Sequence, residues 1–193
     1  MKNYYRVMLG RGGTYASNAH AGGYICADFE IPQNLSPDLG DDWRAFNKKF
    51  IPIFMDGHPG KTKIGAGLAC GALWTVAKGI AKGDVVISPD GMGTYFVGEV
   101  SGDYFYVDGE PFPHRRPVRW LPQTIQRVDM SEALRNSTGS IGTVSTITKY
   151  AAEIEQLIGV RAAPVSLSDD PAVDDPVAFA MEKHLEDFLV KNW

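Results

Sequence analysis

The sequence has no apolar run near the roughly 20 residues that a membrane-crossing helix needs, and no charged-then-apolar leader at its start. A membrane association is therefore not expected, and a cytoplasmic location is. Cysteine is scarce. Cys26 and Cys70 are too few for a disulfide framework and read as small buried side chains in a reducing compartment. His20, His58, His114 and His184 are scattered, with no Cys, His or Glu at metal-ligand spacing, so no zinc site is expected. Asp84, Asp90 and Glu99 stand near strand ends, but no Glu-x-Lys follows them on a strand, and they read as turn and surface residues. His58-Pro-Gly-Lys-Thr62 has the end of a phosphate-binding loop, yet Met55 occupies the place of its first glycine. Nothing local activates Cys26 as a nucleophile. The chain itself is not expected to be catalytic.

What is present is an ordinary globular composition, 44% apolar and 22% charged, in 193 residues. That length holds one well-buried domain and an appendage. The net charge of −4 is unevenly placed. Residues 1–150 carry 16 Lys and Arg against 14 Asp and Glu, whereas residues 151–193 carry 3 against 9. The main domain is weakly basic, which permits a local nucleic-acid patch without requiring one.

Hydrophobic spacing predicts the elements. Tyr4–Leu9 reads as an opening strand closed by Gly10, Gly12 and Gly13. Trp43, Phe46 and Phe50 fall at helical spacing, and His58–Thr62 is a turn. A helix is expected from about Ala66 to Ala81, then strands at 84–88, 94–100, 104–107 and 117–121, joined by glycine turns. Asp129 and Glu132 stand at capping-box spacing before another helix. Ile147, Tyr150, Ala151, Ile154, Leu157 and Ile158 form a last stripe that Gly159 is expected to stop. The fold class is thus α+β, a small curved sheet or barrel with flanking helices. Residues 160–176, with three prolines and four aspartates, read as a solvated linker. After them Asp175-Pro176 caps a helix striped by Val177, Met181, Leu185 and Phe188. This helix is expected to open a further domain.

Three stretches carry chemistry with two readings each. Thr14–Phe29 mixes Tyr15, Asn18, Tyr24 and Asp28 on a glycine-rich backbone, which suits a pocket rim or a plain loop. Trp74 is either core or a flat face on which a base stacks. His114-Arg-Arg-Pro-Val-Arg-Trp-Leu121 is either an edge strand protected by charge or a contact to nucleic-acid phosphate.

Gly83-Asp-Val-Val-Ile-Ser-Pro89, then Tyr95-Phe-Val-Gly-Glu-Val-Ser-Gly-Asp-Tyr104, then His114 to Leu121 resemble the N-terminal domain of many bacterial restriction-type endonucleases. The order is similar to the PUA-like superfamily, which includes the EVE, YTH and ASCH domains. The resemblance covers about residues 4–158, and the 83–121 block is its specific part. Ala180 to Trp193 is similar to the opening helix of NucS-like and Mrr-like nuclease domains. There, the metal-binding carboxylates and catalytic lysine follow that helix.

These resemblances imply a division into a PUA-like reader domain (1–159), an acidic linker (160–176) and the first helix of a nuclease domain (177–193). They imply the DNA-binding part of a modification-dependent restriction endonuclease, a DNA hydrolase, which flips a methylated or otherwise modified base into an aromatic pocket. The pocket is expected from Tyr15, Asn18, Tyr24, Asp28, Trp74 and Tyr104. The duplex backbone is expected on Arg11, Lys61, Lys63, Arg115 and Arg116. No cofactor is expected in this chain, and a divalent metal such as Mg²⁺ is expected for the nuclease domain. The expected partners are modified double-stranded DNA and a second copy through that domain. The alternative is an RNA- or partner-binding regulatory module without selectivity for base modification.

Overall fold

Tyr4–Val7 (β1) places Tyr4 and Arg6 on one side of its strand and Tyr5 and Val7 on the other, and both sides are covered. The same alternation runs through Val85–Pro89 (β3), where every residue is buried, as a strand with both faces covered requires. A computed structural model describes residues 2–162, and the residues up to Ile158 form one compact unit. The helix expected from Val177, and all but the first three residues of the expected linker, lie outside the described residues.

One seven-stranded sheet organises the unit. Besides β1 and β3 it contains Tyr24–Ala27 (β2), Thr94–Val100 (β4), Phe105–Tyr106 (β5), His114–Gln126 (β6) and Val144–Thr146 (β7). The order is β2-β6-β4-β3-β1-β7, with β5 beside β6. β1 runs parallel to β3, and every other pairing is antiparallel. The architecture is mixed α+β with a curled, half-barrel sheet, whose path ends at β2 and β7.

The helices divide between the two faces. Ala16–Gly22 (α1), Trp43–Gly57 (α2) and Lys63–Trp74 (α3) join Val7, Ile25 and Val86 in one apolar cluster. Glu132–Thr138 (α4) and Ala151–Ala162 (α5) join Tyr4, Val85, Ile87, Tyr95 and Val97 in the other. α5 passes through Gly159 rather than stopping there. Ser131, not Asp129, caps α4: its side chain accepts from Leu134 N–H, and its own N–H and hydroxyl go to Glu153. The stretch read as a loop over 14–29 contains α1 and β2, two elements too short to show a period.

β6 is interior, not an edge strand. β2 lies along one side of its first half, and β5 and then β4 along the other. Its pairing with β4 shifts register between Phe96 and Gly98. Gly98 is required there, because a Cβ would stand 2.4 Å from Val118 Cγ1 and 2.7 Å from Trp120 Cε3. Asp84, expected on the surface, is buried: Oδ1 accepts from Asn3 N–H and Oδ2 from Ala81 N–H. It fastens the start of β1 to the turn that leads into β3.

Arg6 is fully buried, and its guanidinium donates to Gly142 O (2.7 Å), to Ser140 O (2.6 Å) and to Ser145 Oγ (2.9 Å). A core cation thereby fixes the course of the 140–145 segment into β7. Arg6→Met is expected to lower the unfolding free energy by about 1–3 kcal/mol through the lost donors. A urea midpoint checks the loss, and amide exchange rising first at 140–145 locates it.

Candidate functional site: a tryptophan-lined cavity

Gly67 and Gly71 sit on the side of α3 that faces α2, where a side chain would make ordinary contact. A Cβ on Gly67 would meet Ile51 Cδ1 at 3.8 Å, and one on Gly71 would meet Asn47 Nδ2 at 4.0 Å. Residues of α2, α3 and β7 line a cavity of about 450 Å³, among them Trp43, Leu68, Trp74, Thr75, Val144 and Thr146 with the two glycines. That volume falls within the range of small-ligand sites.

Each wall has a local cause. Asp42 caps α2 by accepting from Arg44 N–H, so Trp43 is its first helical residue. The Trp43 ring is 43% exposed, with the Arg44 guanidinium 4.8 Å from its centroid. Thr62 caps α3 through Gly65 N–H, so the His58–Thr62 segment is a turn that starts a helix. α3 leaves its regular path after Trp74, where a π turn covers Thr75–Gly79 and Ile80 N–H reaches back to Thr75 O. Such turns interrupt helices at functional positions more often than elsewhere. Here the indole leans over Gly79, whose Cβ would lie 2.9 Å from Trp74 Cζ3, and donates Nε1–H to Gly40 O at 3.3 Å.

The polar element of the cavity is Asn47, only 8% exposed. Its Nδ2 donates to Gly67 O at 3.3 Å, which fixes the amide orientation. Its Oδ1 is buried and has no hydrogen-bond partner among the described residues. A cavity of this size lined by two indoles and an amide suits a planar heterocycle.

Of the six residues expected to form a pocket, only Trp74 lines this cavity. Tyr15 and Tyr24 meet through their hydroxyls at 3.3 Å, Tyr15 packs on Phe112, and Tyr24 lies 4.4 Å from the Arg115 guanidinium. Asn18 is exposed on α1, and Asp28 accepts from Glu30 N–H. Tyr104 belongs to a buried relay: its hydroxyl receives Leu35 N–H and meets His114 Nδ1 at 2.9 Å, while His114 Nε2 meets Ile31 O at 2.8 Å. Since a carbonyl only accepts, Nε2 carries the proton and Tyr104 donates to Nδ1.

The arginine expectation also changes. Arg115 and Arg116 are buried, not displayed. Arg115 donates to Pro111 O and Phe112 O, and Arg116 to Gly102 O and Ala77 O. On an interior strand these guanidinia hold loops, which leaves no face for a phosphate. Arg11, Lys61 and Lys63 are exposed. Trp43 and Asn47 escaped the sequence reading because the helical spacing of Trp43, Phe46 and Phe50 described an apolar face, with the cavity just beside it. The usable signal was a buried amide opposite glycines four residues apart.

Burial pushes the thiols of Cys26 and Cys70 up to about 12 and about 11, which keeps both inert. No group of three or more His, Cys, Asp or Glu among the described residues is arranged to hold a metal ion. No helix among them is long and apolar enough to cross a membrane.

Burial lowers the pKa of His114 below its ordinary 6.5. The unfolded chain therefore binds the proton more readily, and stability falls as pH drops from 6.5 toward the lowered value. His114→Gln is expected to flatten this slope relative to the parent, measured as urea midpoints at pH 7.5 and 5.5.

No curated protein matches the sequence. A family model described as Domain of unknown function (DUF8426) matches residues 42–148, a stretch that contains every residue lining the tryptophan cavity. The match takes in more than half of the chain, and the protein belongs to this family.

Proposed function

We propose that the described unit reads nucleic acid by seating a flipped, modified base of a DNA duplex in the cavity between Trp43 and Trp74. The observation that carries this reading is the cavity of about 450 Å³ lined by Trp43, Trp74 and the amide residue Asn47. Base–aromatic stacking contributes about 1–3 kcal/mol per base, comparable with the few kcal/mol that unstacking costs. A modified base is favoured over an ordinary one where its added group fills apolar space between the rings. The PUA-like resemblance of residues 83–121 supports the same class, in which the unit would be the recognition part of a restriction-type endonuclease whose Mg²⁺-dependent hydrolysis belongs to a nuclease domain.

Titration of the chain against methylated and unmodified duplexes of one sequence is the test. Tighter binding to the modified duplex is expected, and equal affinity removes the reading. Trp74→Ala is expected to weaken the modified complex by about 1–3 kcal/mol, roughly 5- to 150-fold. Single-stranded RNA displacing the duplex would favour the regulatory RNA-binding alternative.

A further inference from the structure

β7 ends the sheet, with β1 on one side and, among the described residues, no strand on the other. Its register with β1 decides which backbone groups the open side presents. Met8 N–H donates to Thr143 O, and Ile147 N–H donates to Tyr4 O. Residues 143, 145 and 147 therefore turn their N–H and C=O groups toward β1. The alternation of an antiparallel pair turns those of Val144 and Thr146 the other way, off the edge of the sheet.

These same two residues line the tryptophan cavity. Val144 pairs with Val7 and Thr146 with Tyr5, so both side chains stand on the face that carries α2 and α3. Ser145 belongs to the opposite face, beside its partner Arg6. There the buried guanidinium holds Ser145 Oγ at 2.9 Å, Ser140 O at 2.6 Å and Gly142 O at 2.7 Å. The strand edge is thus fixed from behind. Thr146 is exposed and Val144 half-buried, so the edge is accessible to a ligand.

On such an edge Val144 C=O and Thr146 N–H stand side by side, an acceptor next to a donor. A neighbouring strand would answer with an N–H and a C=O. Methylated cytosine and methylated adenine answer in the same way, because each carries an amino N–H beside a ring nitrogen on the edge that flipping exposes. We infer that the free edge of β7 reads the seated base, Val144 C=O accepting from its amino group and Thr146 N–H donating to the adjacent ring nitrogen. The inference rests on the base-seating reading above and adds the groups that recognise the polar edge, which stacking on indoles does not. Main-chain groups suit this role. The ladder to β1 sets their direction before a ligand arrives, and no side-chain rotamer has to be ordered on binding.

The test is fluorescence anisotropy of the full chain with duplexes carrying one 5-methylcytosine or one N6-methyladenine. The base is set opposite an abasic site, so that no base pair is lost on flipping. Each is compared with an analogue lacking the amino group, 5-methyl-2-pyrimidinone or 6-methylpurine. For the modified base that binds more tightly, removing the amino group is expected to weaken binding about tenfold. Thr146→Pro is expected to weaken it by a similar factor, because proline removes the outward N–H and leaves the bonds to β1 in place. Where proline lowers the urea midpoint, replacing Thr146 by its α-hydroxy acid removes the same N–H and keeps the side chain. An analogue bound as tightly as the amino-bearing base overturns the inference. So does a folded Thr146 variant that binds like the parent, an outcome that assigns the amino group to Asn47 Oδ1. The two readings fail separately. Equal affinity of the parent for modified and unmodified duplexes defeats the seat between the tryptophans. Preference that survives both the analogue and the loss of Thr146 N–H defeats the strand edge alone.

Discussion

The Arg116 guanidinium is the point from which the rest of the molecule is hung. It is 3% exposed, and it joins β6, the turn after β4 through Gly102 O, and the π turn after α3 through Ala77 O. Burying a cation costs several kcal/mol unless its donors are filled, so these contacts cannot be exchanged cheaply for others. Burial lowers its pKa, with Asp103 and Asp84 acting in the opposite sense, but a guanidinium stays charged regardless. The π turn it holds is the segment that seats Trp74. The shape of the cavity is thereby tied to the middle of the sheet, although Arg116 does not line it.

Arg6 and Arg115 repeat the device at other places. Each donates mainly to backbone carbonyls of an irregular segment: Arg6 to 140–143, Arg115 to 111–112. The arginines of β1 and the first half of β6 therefore stiffen loops from inside. Basic clustering made His114–Arg119 conspicuous, yet an interior strand can accept arginines only when carbonyls lie within reach, and that is a property of loops far along the chain.

Much of the architecture was legible in the sequence. β4 has the expected bounds, β3 is within one residue, and the turn at His58 leads into α3 as its glycine and proline require. Short elements were not legible, because four residues of β2 or three of β7 give no period to detect. The helix α2 runs on through Pro52 to Gly57, since packing of Phe46, Phe50 and Phe54 outweighs the one hydrogen bond that proline removes. Of the cavity, only Trp74 was among the expected pocket residues. Trp74 was a candidate wall, but its partners were sought near it in the expected barrel, whereas they come from α2 and β7. Aromatic content identified which residues were capable of stacking and gave no account of which of them would be used up in one another's company, as Tyr15, Tyr24 and Tyr104 are.

The position of β1 has a consequence for how the chain acquires its shape. Tyr4 pairs with Val85 on one side, and Tyr5 pairs with Thr146 on the other. β1 is thus an inner strand, and it waits for some 80 residues before gaining one neighbour and about 140 before gaining the other. Loop-closure entropy of that size slows assembly, and an apolar ribbon stays unaccompanied meanwhile. Folding is set by the arrival of the late segment, so a nascent chain arrested before Thr146 carries a sheet with an open seam where β7 belongs.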